Sequence, residues 1–280
     1  MAGIGNRGVV IAVAVVAGIA AGLAAGYIAW GWPRDWFVFN DPAKLPAGPA
    51  NDLIRTGLDI IVNTPEHIGP LASDPAMRLA GNQLACTNCH LNAGLQKFAA
   101  PLVSTFASYP LMVNDTVESL PERINGCMTR SLNGKPLPET GDAMNALVAY
   151  IQYLGVGTKE GVRVDGMGLI PLPTAPETPD KARGATVFAD VCAKCHGTEG
   201  QGEAKTVGGG WAIPPLWGDG SFNAGAGMAD IRMAAAFIRA NMPRGVTYDS
   251  PILSIQQAWD VAEFVTTQPR PPAPADAAAP

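Results

Sequence analysis

Two five-residue segments constrain this chain more than anything else in it: Cys86-Thr87-Asn88-Cys89-His90 and Cys192-Ala193-Lys194-Cys195-His196. Both follow the pattern Cys-x-x-Cys-His, the signature of covalent c-type haem attachment. Two thiols three positions apart add across the two vinyl groups of one porphyrin, and the adjacent imidazole reaches the iron as proximal ligand. A zinc knuckle would need further thiolates or imidazoles, and only Cys127 and His67 exist outside the two motifs. A redox dithiol has no need of a histidine after its second cysteine. Cys86, Cys89 and His90, with Cys192, Cys195 and His196, are therefore read as the sites of two covalently bound haem c groups.

A length of 280 residues suits two domains, each with its own core. The net charge of −5 leaves no basic footprint for nucleic acid. It also repels small anions, so an anion site must gather Arg or Lys locally. Of the five cysteines, four serve the haems, and Cys127 is left over.

Val9 to Pro33 carries no charged side chain, with Arg7 before it and Arg34 and Asp35 after it. That run is longer than the roughly 7–15 apolar residues of a cleaved signal, so residues 1–35 read as one uncleaved transmembrane helix. Tyr27, Trp30, Trp32, Trp36 and Phe37 form an aromatic belt at its outer end. The thin positive charge at Arg7 puts the rest outward, giving a single-pass inner-membrane anchor with the globular part in the periplasm. Residues 36–49, with Pro42, Pro46 and Pro49, read as a Pro-rich tether.

Domain one is assigned to residues 50–168, a Pro-rich linker to 169–180, domain two to 181–268, and a disordered Pro/Ala tail to 269–280. In domain one, Leu53, Ile54, Leu58, Ile61 and Val62 have helical periodicity. Ser119 and Glu122 form a capping-box pattern, with Pro121 tolerated in the first turn of the helix they open. Arg123, Cys127, Arg130 and Ser131 fall on one face of that helix. Ala143 to Leu154 is expected as a closing helix. Domain two repeats the scheme, with helices expected at Pro179 to Val191, Ala229 to Asn241 and Leu253 to Thr267. Val148-Ala149-Tyr150-Ile151 lines up with Val261-Ala262-Glu263-Phe264 as an internal duplication.

The sixth iron ligand decides whether such a haem relays electrons or binds substrate. For His196 the candidate is Met242, placed at a helix end by Pro243, with Met228 and Met233 as rivals. A carbonyl of Pro214-Pro215-Leu216 is expected to fix the His196 ring, with Trp217 and Phe222 as pocket walls. For His90 the candidate is Cys127, whose Arg neighbours favour a thiolate. Met128 and Met112 are fallbacks, and a small buried hydrophobe or an intermolecular disulfide is the plain alternative for Cys127. His67 is read as a surface or core-edge histidine.

These residues resemble the diheme thiosulfate dehydrogenases and the related A subunit of the Sox thiosulfate-oxidising system. The match is carried by Gly81-Asn82 before Cys86, Leu91-Asn92-Ala93-Gly94, Arg123-Ile124-Asn125-x-Cys127, Arg130 to Pro138, Pro214 to Trp217, Gly225 to Met228 and Asn241-Met242-Pro243. The resemblance implies an all-α fold of two tandem cytochrome c domains. It implies a catalytic haem held by His90 and Cys127, with Arg123 and Ser131 beside a bound thiosulfate and Arg130 or Lys135 as helpers. It implies that two thiosulfates join into tetrathionate. Electrons would leave through a second haem held by His196 and Met242 to an acceptor cytochrome or terminal oxidase. Two alternatives stand beside it: a non-catalytic diheme electron carrier, and a Sox-type subunit acting on protein-bound sulfur.

Overall fold

The periodic run Leu53 to Val62 forms helix α1 (Pro49–Val62), which buries Ile60 and Ile61. Helix α2 (Thr64–Ile68) follows at once. The computed structural model describes residues 40–113, 115–158 and 164–275. The expected anchor at 1–35 lies outside them, and no helix among the described residues is long and apolar enough to cross a membrane.

α1 packs on α4 (Asp142–Leu154), the closing helix of domain one, through Gly57. A Cβ at Gly57 would stand 2.1 Å from the Ala146 carbonyl oxygen and 2.7 Å from Tyr150 Cβ. Only a glycine lets the helices approach this closely. Tyr150 is fully buried and donates its hydroxyl to Ala93 O at 2.8 Å, tying α4 to the turn after His90. Between them lie β1 (Leu111–Val113), antiparallel to β2 (Thr116–Glu118), and α3 (Leu120–Arg130). α3 starts as expected: Ser119 Oγ accepts from the Glu122 N–H while Glu122 accepts from the Ser119 N–H.

Domain two opens with α5 (Lys181–Val187), later than the expected Pro179 because Asp180 caps it. A wider π turn, Phe188–Cys192, continues into the turn Ala193–His196 that carries the second motif. Strands β3 (Glu203–Ala204) and β4 (Trp211–Ile213) pair antiparallel. Then come α6 (Ile231–Asn241), capped by Asp230, and α7 (Ile255–Thr266), capped by Ser254. α5 meets α7 as α1 meets α4. A Cβ at Gly184 would stand 1.9 Å from Asp260 O and 2.9 Å from Phe264 Cβ. Ala146 and Tyr150 thus play the parts of Asp260 and Phe264, so the duplication is real, but the alignment of Val148–Ile151 with Val261–Phe264 is shifted by one residue. Runs of small apolar residues carry no register mark of their own.

The two short hairpins modify the all-α expectation, leaving a mostly helical protein. Two stretches expected to be loose are instead packed. Asn40 Nδ2 donates to Leu154 O and Val156 O, and Arg55 Nη2 donates to Leu45 O and Pro46 O, so residues 40–48 lie against domain one. At the other end, Pro269 O and Pro271 O accept from Gly218 N and Ala224 N, pinning the start of the tail. Proline lacks a donor but keeps its carbonyl, and apart from the Asn40 amide both segments are held through carbonyls. Residues 169–180 form no helix or strand, and Pro173 O accepts from Trp259 Nε1 at 3.0 Å.

Candidate haem centres

In the first motif, Cys86 N and Sγ both pair with the buried Thr64 hydroxyl of α2, at 3.1 and 3.4 Å. The His90 ring donates through Nδ1 to Ala100 O at 2.5 Å, which leaves Nε2 as the ring nitrogen that could ligate a metal. The intervening loop is strained: Asn92, Ala93, Phe98, Ala100 and Ser104 all have φ between 48° and 57°. In the second motif, His196 Nδ1 donates to Pro214 O at 3.0 Å, the contact expected from Pro214-Pro215-Leu216. Burial lowers the His196 pKa, with the Pro214 hydrogen bond opposing, so the ring is neutral and able to ligate.

The thiols divide by environment. Burial pushes Cys86 up to about 11, Cys89 to about 12 and Cys192 to about 11. Burial also acts to raise Cys127, but the charge of Arg123, a hydrogen bond from the His90 ring and the charge of Arg130 bring it down to about 7. Cys127 therefore faces the His90 ring within hydrogen-bonding reach. It is also the thiol best disposed to ionise among those four. No two of the five cysteines are joined by a disulfide within the chain.

Arg123 stands beside Cys127 on α3, and the thiolate is the main cause that raises its pKa. Tyr109, which sequence reasoning missed, hydrogen-bonds to Arg123, and burial raises its phenol pKa so that it stays protonated. Arg130 lies one turn beyond Cys127, and Ser131 caps α3 with its N–H on Cys127 O. Lys135 is exposed and its side chain makes no hydrogen bond or ion pair among the described residues, so the structure does not bring it into this group. Of the fallbacks, Met128 is 2% exposed in the core and Met112 is 70% exposed on the hairpin. His67 pairs with Asp59 at 2.8 Å near the surface, as read.

Met242 follows α6 in extended conformation, its N–H on Ile238 O at 2.9 Å. Met233 is 40% exposed, and Met228 packs against the cluster of Ala234, Ala235 and Ala262. Trp217 meets Phe188 at a tilt and Phe264 edge-on in the core beside Cys192, and Phe222 carries the Arg270 guanidinium 4.5 Å above its ring. Three buried donors lack partners among the described residues: Trp211 Nε1, Arg239 Nε and Arg270 Nε. Unpaired buried N–H groups are costly, and carboxylate-bearing haem would satisfy such donors. The residues thus fit haem c on two counts, the donor set of each motif and the orphaned donors.

Comparison with known proteins agrees with this geometry. A family model described as the SoxA/TsdA cytochrome c domain matches residues 78–159, and a cytochrome c model matches 181–269. Thiosulfate dehydrogenases from Stutzerimonas stutzeri and Thiomonas intermedia are each 39% identical, over 82% and 83% of this chain and 71% and 70% of their own length. A solved thiosulfate dehydrogenase (TsdBA) from Marichromatium purpuratum superposes with a TM-score of 0.75 at 35% identity, covering 84% of this chain, which spans half of that one. With two cytochrome c domains and two covalently bound haem c groups, the chain belongs to the thiosulfate dehydrogenase family.

Proposed function

We propose that this protein oxidises thiosulfate to tetrathionate at the haem of domain one. The supporting observation is Cys127, facing His90 and flanked by Arg123 and Arg130. A haem held there supplies one-electron acceptance. The remaining work falls to the chain. Arg123 and Arg130 bind the anion by charge-assisted hydrogen bonds, and Ser131 lies a turn beyond Cys127 to donate another. Two thiosulfate dianions form one sulfur–sulfur bond and release two electrons, giving the tetrathionate dianion. No proton is exchanged, so no acid or base is required. Ala100 O holds the His90 imidazole in one tautomer and orientation.

His196 and Met242 would hold the second haem, which would supply the electron exit toward a cytochrome or terminal oxidase. A thiolate from Cys127 at the first haem and a thioether from Met242 at the second would order the potentials in that direction. Residues 1–35 anchor the protein in the inner membrane, with both haem domains in the periplasm. A pure electron carrier has no use for a thiol flanked by two arginines. The test is steady-state turnover of the purified holoprotein with thiosulfate and ferricyanide, with tetrathionate measured as product. Wild type turns over and Cys127→Gly does not. Absence of wild-type turnover overturns the proposal.

A further inference from the structure

Helix α3 carries a glycine in its middle, where alanine is the better helix former. At Gly57 and Gly184 the reason is contact with the backbone of a neighbouring helix. Gly126 is different. A Cβ there would meet Arg130 Nη2 at 2.7 Å, Arg130 Cζ at 3.3 Å and Arg123 Nη1 at 3.7 Å. All three are guanidinium atoms, so no backbone demands the glycine.

The arrangement follows from helix geometry. Arg123, Gly126 and Arg130 are spaced by three and four, on one face. Helical side chains lean toward the N-terminus, which brings the Arg130 guanidinium back over Gly126. The stem of Arg130 is backed from domain two, its Cδ 3.6 Å from the Cβ position of Gly225. Two cations so close repel each other. Arg55, Arg183 and Arg232 each pair with a carboxylate, but neither Arg123 nor Arg130 has a carboxylate ion-pair partner among the described residues. Two guanidiniums thus converge beside Cys127, with Glu118 acting on Arg123 only through its charge, inside an acidic protein.

We propose that Gly126 is a positioning residue: its missing side chain forms a dent in α3 where the two guanidiniums converge, and that pair takes the sulfonate end of the substrate anion. Three oxygens on a tetrahedral sulfur match donors arriving from two forks. The sulfane sulfur is left toward Cys127. This rests on the function proposed above and adds the residue that shapes its subsite.

The test is a double-mutant cycle on the holoprotein with Gly126→Ala, Arg130→Ala and their combination. Gly126→Ala raises the thiosulfate KM about tenfold, with a smaller fall in kcat, while the denaturant midpoint is unchanged or higher. In the Arg130→Ala background, Gly126→Ala has no further effect on KM. An unchanged KM in the single variant, additive effects in the double, or a lowered midpoint overturns the inference. Thermal protection by sulfate supplies a readout independent of turnover. Sulfate raises the melting temperature of wild type, and Gly126→Ala loses at least half of that shift; equal protection overturns the subsite. If wild type fails to oxidise thiosulfate but the sulfate effect still depends on Gly126, the reaction is wrong and the anion subsite stands.

Discussion

Cys127 differs from the attachment cysteines by its neighbours, not by its burial. Burial raises all of these thiols, and Arg123, His90 and Arg130 reverse the effect at Cys127 alone among those with a resolved shift. Arg123→Gln keeps a polar side chain, though a shorter one, and removes the leading favourable charge. Charge-assisted hydrogen bonds contribute about 1.5–3 kcal/mol, so kcat/KM for thiosulfate falls by about 10–150-fold, measured at low salt where the charge is least screened. Cys127→Met replaces a candidate thiolate ligand with a thioether, and redox titration then shows a higher potential for the domain-one haem with turnover lost. Cys127 was legible because it was the odd cysteine in a chain otherwise paired by its motifs. Tyr109 was not, since it reaches Arg123 from before a hairpin and no local pattern marks a phenol for that contact. Ala100 was equally silent. Its function lies in a backbone carbonyl, which every residue possesses, and in a φ of 48° that alanine rarely adopts.

At the scale of elements, periodicity and the Ser119 cap foretold α3 well because capping acts through short-range geometry, whereas the Asp180 cap went unread and α5 was expected to start too early. Hairpins β1–β2 and β3–β4 escaped notice, being two or three residues long with no alternation to read. The interfaces α1–α4 and α5–α7 yield two predictions. Gly57→Ala and Gly184→Ala each force a methyl group onto a carbonyl oxygen about 2 Å away. Overpacking of this kind costs about 1–3 kcal/mol, read as a lowered denaturant midpoint, in contrast to Gly126→Ala. The second prediction concerns Asp260, which accepts from Asp180 N, Arg183 Nε and Nη2, and Gln256 Nε2, at 2.7–2.9 Å. Burial alone would raise its pKa, but these hydrogen bonds and the Arg183 charge hold it below the usual carboxylate range. A carboxyl whose folded pKa is depressed stabilises the fold above its unfolded pKa, and that contribution disappears as pH falls through the folded value. Asp260→Asn therefore lowers the midpoint at neutral pH, and the gap from wild type closes on acidification.

For the whole molecule, the two-domain plan follows from the repeated motif, but how the domains are joined does not. The described residues of both domains form one compact unit. Asn82 and Asn133 donate to Ser221 O, Asn223 donates to Thr129 O, and Gly209 N donates to Glu66, so the second domain is stitched to the end of α3 and to α2. Three of these four long-range contacts run through asparagines, a residue that sequence patterns assign to turns. Asn241 is the most telling of them. It is 2% exposed, precedes Met242, donates to Phe98 O at 3.0 Å and to Phe237 O at 3.1 Å, and accepts from Gln96 Nε2 at 2.8 Å. Gln96 and Phe98 belong to the strained loop whose Ala100 carbonyl holds His90. One domain-two side chain thus braces the proximal imidazole of domain one and the turn that carries Met242. Asn241→Leu keeps a similar volume but strands a buried donor and two carbonyls, at about 1–3 kcal/mol for each group that finds no water. The denaturant midpoint falls accordingly. A purely local defect would stop there. Because the loop also fixes the Ala100 carbonyl, its loosening weakens the hydrogen bond that makes His90 a stronger donor, and the domain-one haem potential rises although the substitution lies in domain two. Redox titration of both haems checks this, since an unchanged domain-one potential would mean that Asn241 joins the domains without tuning the site.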